Sequence, residues 1–177
     1  MSANDSGILS KLRQRKWRAW LVLVLFVGSA LVGWRLWPHL ALAEGVAPPL
    51  AGTLLVDGAA FDLKRETGKP VLVYFWASWC PDCHVQQSVI DSLARDNTVV
   101  TVAMQSGAEP EVRKHLEQNG LRWRVLNDTD GAVTKAWAVR GVPVMFIVDG
   151  QGNMRFRKSG ISSVMSMRVR LWFAEHF

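Results

Sequence analysis

Val71-Leu72-Val73-Tyr74-Phe75-Trp76-Ala77-Ser78-Trp79-Cys80-Pro81-Asp82-Cys83-His84 decides the fold. Its first six residues are apolar without a break, the pattern of a strand buried on both faces. A short turn follows, then two cysteines separated by two residues, with Pro81 directly behind the first. Proline suits the first turn of a helix, where its missing N–H would have found no partner anyway. Cys80 is therefore expected at the mouth of a helix, facing solvent, and Cys83 one turn inside it. Residues three apart share a helix face, so the two sulfurs can reach bonding distance. The positive end of the helix favours a thiolate on Cys80. A strand that delivers such a pair to a helix start is a device for thiol–disulfide exchange.

Downstream, Thr98 to Met104 reads as a second buried strand, parallel to the first because a helix crosses between them. Val85, Val89, Ile90 and Leu93 form the expected inner stripe of that first helix. Glu109 to Asn119 reads as a helix with a thin apolar face, Val112 and Leu116, and Gly131 to Trp137 as a shorter one. Val144 to Val148 and Met154 to Lys158 form a hairpin around Asp149-Gly150-Gln151-Gly152-Asn153. A last helix carries Val164, Met167, Leu171 and Trp172 inward. Upstream, Thr53 to Val56 and Ala59 to Leu63 read as a hairpin over Asp57-Gly58. Strands alternating with helices define an α/β domain over residues 53–177.

The chain of 177 residues has room for one such domain and an appendage. Ala19 to Trp34 contains no charged residue and follows Lys11, Arg13, Arg15, Lys16 and Arg18. Sixteen helical residues span about 24 Å, and snorkelling by Arg18 and Arg35 extends the span to Trp37. Trp17, Trp20, Trp34 and Trp37 bracket it, as aromatics do at membrane interfaces. The expected layout is a cytoplasmic basic tail at 1–18, a transmembrane anchor at 19–37 and a linker at 38–52. The competing reading is a signal peptide cut after Ala41-Leu42-Ala43. Arg35 and Trp37 intrude between the apolar run and that site, which favours the uncleaved anchor.

The formal charge of +6 is mostly a tail effect. From Gly45 onward 15 Lys and Arg face 13 Asp and Glu, too even a balance for a nucleic-acid surface. A merely structural disulfide across two residues would constrain the unfolded chain little. A closed zinc site would need a second ligand pair. Cys80-Pro81-Asp82-Cys83-His84 also fits the C-x-x-C-H pattern of c-type haem attachment. The fully apolar strand before it and the Val142-Pro143 after it speak against haem.

Trp79-Cys80-Pro81-Asp82-Cys83 behind a hydrophobic strand, with Gly141-Val142-Pro143 ahead of an apolar one, resembles the thioredoxin superfamily. The N-terminal segment, and the extra segment between the second strand and Val142-Pro143, resemble one branch. This is the membrane-anchored, extracytoplasmic branch of bacteria, which includes the cytochrome c maturation and copper-sensitivity-suppressor types. The resemblance covers roughly residues 50 to 177. It implies a thioredoxin-like fold, a central mixed sheet flanked by helices, with the N-terminal transmembrane helix in the inner membrane and the domain in the periplasm. It implies a thiol–disulfide oxidoreductase with no dissociable cofactor beyond the Cys80–Cys83 disulfide. Pro143 is then the cis-proline facing that disulfide, and Val142 offers backbone groups to an extended substrate. Trp79, Pro81 and Asp82 border the same substrate surface. The implied partners are thiols and disulfides of exported proteins and a thiol reductase in the membrane that donates electrons. A non-catalytic binding module built on the same groove is the alternative, and the intact cysteine pair argues against it.

One departure stands out. Thioredoxins carry a buried Asp six residues before the first cysteine, where this chain has Tyr74. Related anchored proteins often place a glutamate in the inserted segment, and Glu109 is the nearest candidate here. Asp82 bears on direction: a negative charge near Cys80 disfavours its thiolate, which makes the dithiol the better electron donor.

Overall fold

The computed structural model describes residues 20, 23–29 and 45–177 of the chain. Residues 23–29 are helical and largely exposed. Among the described residues no helix is long and apolar enough to cross a membrane. The basic tail at 1–18, most of the 19–37 span and the Ala41-Leu42-Ala43 pattern lie outside them.

The folded unit is built on a five-stranded mixed sheet in the order β5-β4-β3-β6-β7. These strands are β3 (Val71–Trp76), β4 (Thr98–Met104), β5 (Val125–Asp128), β6 (Val144–Val148) and β7 (Met154–Ser159). β4 runs parallel to β3 and β5, while β6 runs antiparallel to both β3 and β7. The central position of β3 explains its sequence: all six residues are buried, because both faces and both edges are covered. Four helices connect and cover the strands: α1 (Pro81–Ala94), α2 (Glu109–Gln118), α3 (Ala132–Ala136) and α4 (Val164–His176). A small antiparallel hairpin, β1 (Ala51–Thr53) with β2 (Ala60–Asp62), precedes the sheet.

That hairpin begins earlier than its sequence pattern indicates. Leu54 and Leu55 are buried but lie outside the strands, where Leu54 closes the turn with Ala59 and Gly58. Residues 45–52, expected as linker, belong to the folded unit. Val46 bridges Asn153, Ala47 donates to the Gly152 carbonyl, and Leu50 is a core residue at 1% exposure. Proline-rich sequence hides this, since Pro48 and Pro49 break a helix without preventing the burial of Leu50.

The two faces of the sheet differ. Val71, Val73 and Phe75 point into an apolar core with Leu50, Leu54, Phe61, Trp137, Phe146 and their neighbours. Leu72, Tyr74 and Trp76 alternate to the other face, where Trp76 and Tyr74 meet Trp123 edge-on. The inner stripe of α1 keeps the expected Ile90 and Leu93 but has Cys83 and Gln86 in place of Val85 and Val89. Val85 is exposed and Val89 only half-buried, while Gln86 is fully buried. In α4 the buried residues are Met167, Arg170, Leu171 and Ala174, and Trp172 turns outward. Both corrections amount to a rotation of the helix that the apolar residues alone leave open.

Candidate active site

Cys80 is the N-cap of α1, with extended backbone angles, and the Cys83 N–H donates to its Sγ at 3.2 Å. A sulfur thus occupies the place a Ser or Asp oxygen usually takes at a helix start, where the unpaired N–H groups and the dipole favour negative charge. Pro81 takes the first helical turn and Asp82 joins it there, both exposed. Cys80 and Cys83 are disulfide-bonded, their Cα atoms 5.3 Å apart.

Two loops frame the pair. The Val142–Pro143 peptide bond is cis, Pro143 is buried, and the Val142 carbonyl oxygen stands 3.6 Å from Cys80 Sγ. Opposite, the loop after β4 is pinned to the Ser78-Trp79 turn. The Ser78 N–H donates to Ser106 Oγ at 3.0 Å, and the Trp79 indole N–H donates to the Gln105 carbonyl at 3.1 Å. Trp79 itself is 60% exposed. Val142 thus lies against Cys80, and Trp79, Pro81 and Asp82 are its exposed neighbours along the chain.

One expectation fails. Cys80, expected to face solvent, is buried to the same degree as Cys83. The cis-proline loop lies against its sulfur, a contact between residues 62 apart that local sequence does not encode.

The other face of α1 holds polar groups that the sequence pattern does not single out. Gln86, one turn after Cys83, accepts from the Ser162 N–H at 2.9 Å and donates to the Ser162 carbonyl at 3.2 Å. Gly160 in the same loop donates to the Pro143 carbonyl at 2.8 Å, so Gln86 is linked by two steps to the cis-proline. A glutamine at the i+3 position from the inner cysteine, on the same helix face, is the signal in the sequence. His84 is exposed, and its ring lies 5.3 Å from that of His115 on α2, which in turn leans on Trp76. Burial first, and the His84 imidazole second, hold the His115 imidazole below its usual pKa.

Tyr74 and the first two glutamates of α2 each sit in a setting of their own. The Tyr74 hydroxyl is buried with no hydrogen-bond partner among the described residues, and burial pushes its phenol well above the usual range. A group kept protonated in this way does not take up a proton near neutrality. Glu109 is paired with Arg113 at 2.5 Å on the exposed side of α2. Glu111 accepts from the Ala108 N–H at 2.7 Å and closes the start of that helix.

The profile of the Redoxin family matches residues 43–167. The chain belongs to the redoxin family. Within the thioredoxin superfamily its relatives include thiol:disulfide interchange proteins of the DsbE type. It is 34% identical to a thioredoxin-like protein of Haemophilus influenzae, over 69% of this chain and 74% of that one. It is 26% identical to the thiol:disulfide interchange protein DsbE of Escherichia coli K12, over 88% of each. The solved structure of MTB dsbF in mixed oxidized and reduced forms superimposes with a TM-score of 0.62 at 28% identity. That match covers 71% of this chain and 94% of the other. With this kinship and the paired cysteines, the activity of this redoxin is thiol–disulfide oxidoreduction.

Proposed function

We propose that this redoxin is a membrane-tethered reductant of cysteines in exported proteins. The observation that carries the exchange chemistry is Cys80 Sγ at a helix N-terminus, 3.6 Å from the Val142 carbonyl of a cis-proline loop. An extended client chain can pair with the Val142 backbone while its own sulfur approaches Cys80. A client disulfide then exchanges in two steps. The Cys80 thiolate attacks one client sulfur, the client S–S bond breaks, and the other client sulfur leaves as a thiolate that takes up a proton from water. Cys83 next gives up its proton and attacks Cys80 Sγ, which releases the second client thiol and leaves the Cys80–Cys83 disulfide. The two electrons come from the dithiol, so no dissociable cofactor enters.

Trp79, Pro81 and Asp82, all exposed around Cys80, supply the remaining client contacts. Asp82 weakens the stabilisation of the Cys80 thiolate and so favours the donor direction. Tethering rests on the uncharged run Ala19 to Trp34 behind five basic residues, which places the tail in the cytoplasm and the domain in the periplasm. A thiol reductase in the same membrane would then recharge the dithiol.

The test is trapping in cells. Cys83→Ala is expected to accumulate mixed disulfides with exported proteins, and Cys80→Ala to form none and to lose insulin reduction. Trapping by Cys80→Ala instead would reverse the two roles. A redox titration against glutathione tests direction, with Asp82→Asn expected to be the more oxidising.

A further inference from the structure

The C-terminal end of α4 shows an apolar surface that the exchange chemistry does not use. Trp172 is 49% exposed, Phe173 38% and Phe177 76%. They form one ordered cluster rather than scattered side chains. Trp172 stacks on His176 at 4.7 Å between ring centroids and meets Phe173 and Phe177 edge-on at 5.2 and 6.1 Å. Val169 and Met165 continue the exposed line more thinly up the helix. Three large aromatics side by side on the surface of a folded domain mark a contact site.

Its place in the fold says what it meets. The disulfide lies beyond the C-terminal end of β3. The opposite end of the sheet is marked by Lys69 and Pro70 before β3, by Thr98 at the start of β4, and by the β6–β7 turn. Trp172, Leu171 and Glu175 line one cleft with Lys69, Pro70, Arg95 and Thr98, so the aromatic cluster belongs to that opposite end. The chain enters the folded unit there too, where Val46 bridges Asn153 and Ala47 bonds Gly152. Gly45 lies only eight Cα–Cα steps after Trp37, the end of the apolar segment. Fully extended they reach about 28 Å, so a tethered domain keeps this end close to the bilayer.

The chemistry of the surface fits that neighbour. Tryptophan and phenylalanine are the side chains that settle at the level of lipid headgroups. Lys69, Arg95 and Arg168 line the cleft beside Trp172, against Asp96 and Glu175, and Arg168 is paired with Asp96 at 2.7 Å. Exposed Lys69 and Arg95 are thus available to anionic headgroups.

We infer that Trp172, Phe173 and Phe177 dock on the lipid surface of the membrane that holds the anchor, with Lys69 and Arg95 on its headgroups. This contact points the disulfide away from the bilayer, toward clients. The inference rests on the tethered reading above.

The test uses the full chain reconstituted in phosphatidylethanolamine–phosphatidylglycerol vesicles that contain a phosphatidylglycerol with a diazirine on its acyl chain. After irradiation, trypsin releases Leu171–Phe177 as one peptide, because it cuts after Arg170. The expected result is lipid adducts on this peptide and on the Ala19–Trp34 segment, with none on Trp79. The combined Trp172→Ser, Phe173→Ser and Phe177→Ser variant is expected to lose the C-terminal adducts and keep full insulin reduction. Adducts on Ala19–Trp34 with a clean C-terminal peptide would overturn the docking and leave the tether standing. A clean C-terminal peptide in vesicles in which a bifunctional amine cross-linker joins two chains would assign the face to a second copy and also overturn it. A chain recovered free of the vesicles, without adducts anywhere, would remove the tether and the docking together.

Discussion

The two faces of β3 carry three side chains each and do different work. On one, Val71, Val73 and Phe75 join an apolar core in which Phe75 meets Trp137 and Phe146. On the other, polar atoms are buried beside the redox helix. Trp76 donates its indole N–H to Thr101 Oγ1 at 3.1 Å, Gln86 holds both backbone groups of Ser162, and Trp123 donates to Asp91. Tyr74 Oη and His115 Nε2 are buried there without hydrogen-bond partners among the described residues. An apolar face needs only volume and shape, because dispersion and the hydrophobic effect have no direction. A polar face needs each donor matched to an acceptor, which fixes one arrangement of helices and loops. The site sits on the side where position is specified most tightly.

Four substitutions or conditions would break or sharpen this contrast. The largest effect is expected from Phe75→Ala on the apolar face, a loss of about 3–5 kcal/mol from transfer and cavity terms. Urea unfolding measures it, and exchange activity per folded molecule should stay near that of the native chain. Gln86→Leu on the polar face should cost about 2–4 kcal/mol, since it leaves the Ser162 N–H and C=O unpaired. Here activity per folded molecule should fall as well, because the loop holding Ser162 also bonds the Pro143 carbonyl. Equal activity in the two variants would erase the distinction between the faces.

Tyr74→Phe should stabilise the fold by up to about 1 kcal/mol, because it removes a buried hydroxyl that has no partner among the described residues. A clear loss of stability would mean that the hydroxyl is satisfied. The smallest effect concerns pH. His115 has a lowered folded pKa, so the unfolded chain binds its proton first as pH falls. The contribution of neutral His115 is whole above about pH 6.5 and is lost as pH drops from there toward its lower folded value. The urea midpoint should therefore decline between about pH 7.5 and 5, and His115→Gln should flatten that decline. Partial exposure of the ring keeps the effect small.

Much of the fold is legible in the sequence because it is written locally. The unbroken Val71–Trp76 run, the Pro81 helix start and the turn at Asp149 to Asn153 each depend on a few consecutive residues. The same holds for placing Cys80 at the helix mouth and Cys83 one turn inside, which requires only the spacing and Pro81. Helix rotation is not local in this way. Val85 and Trp172 look like inward residues by type, yet Gln86 and Arg170 take those positions. Side-chain type predicts burial only when no partner compensates a polar group, and Gln86 has its partner 76 residues away.

By itself, then, the sequence determined the α/β class, the order of strands and helices except for the edge strand β5, and a dithiol at a helix N-terminus. These follow from periodicity and from the fixed φ of one proline. Only the tertiary structure decided that residues 45–52 close onto the β6–β7 turn, that the Val142 carbonyl lies against Cys80, and that Gln86 holds the Ser162 loop. Each is a pairing between groups distant in the chain. Which donor meets which acceptor is set when the core closes, and no local pattern records it.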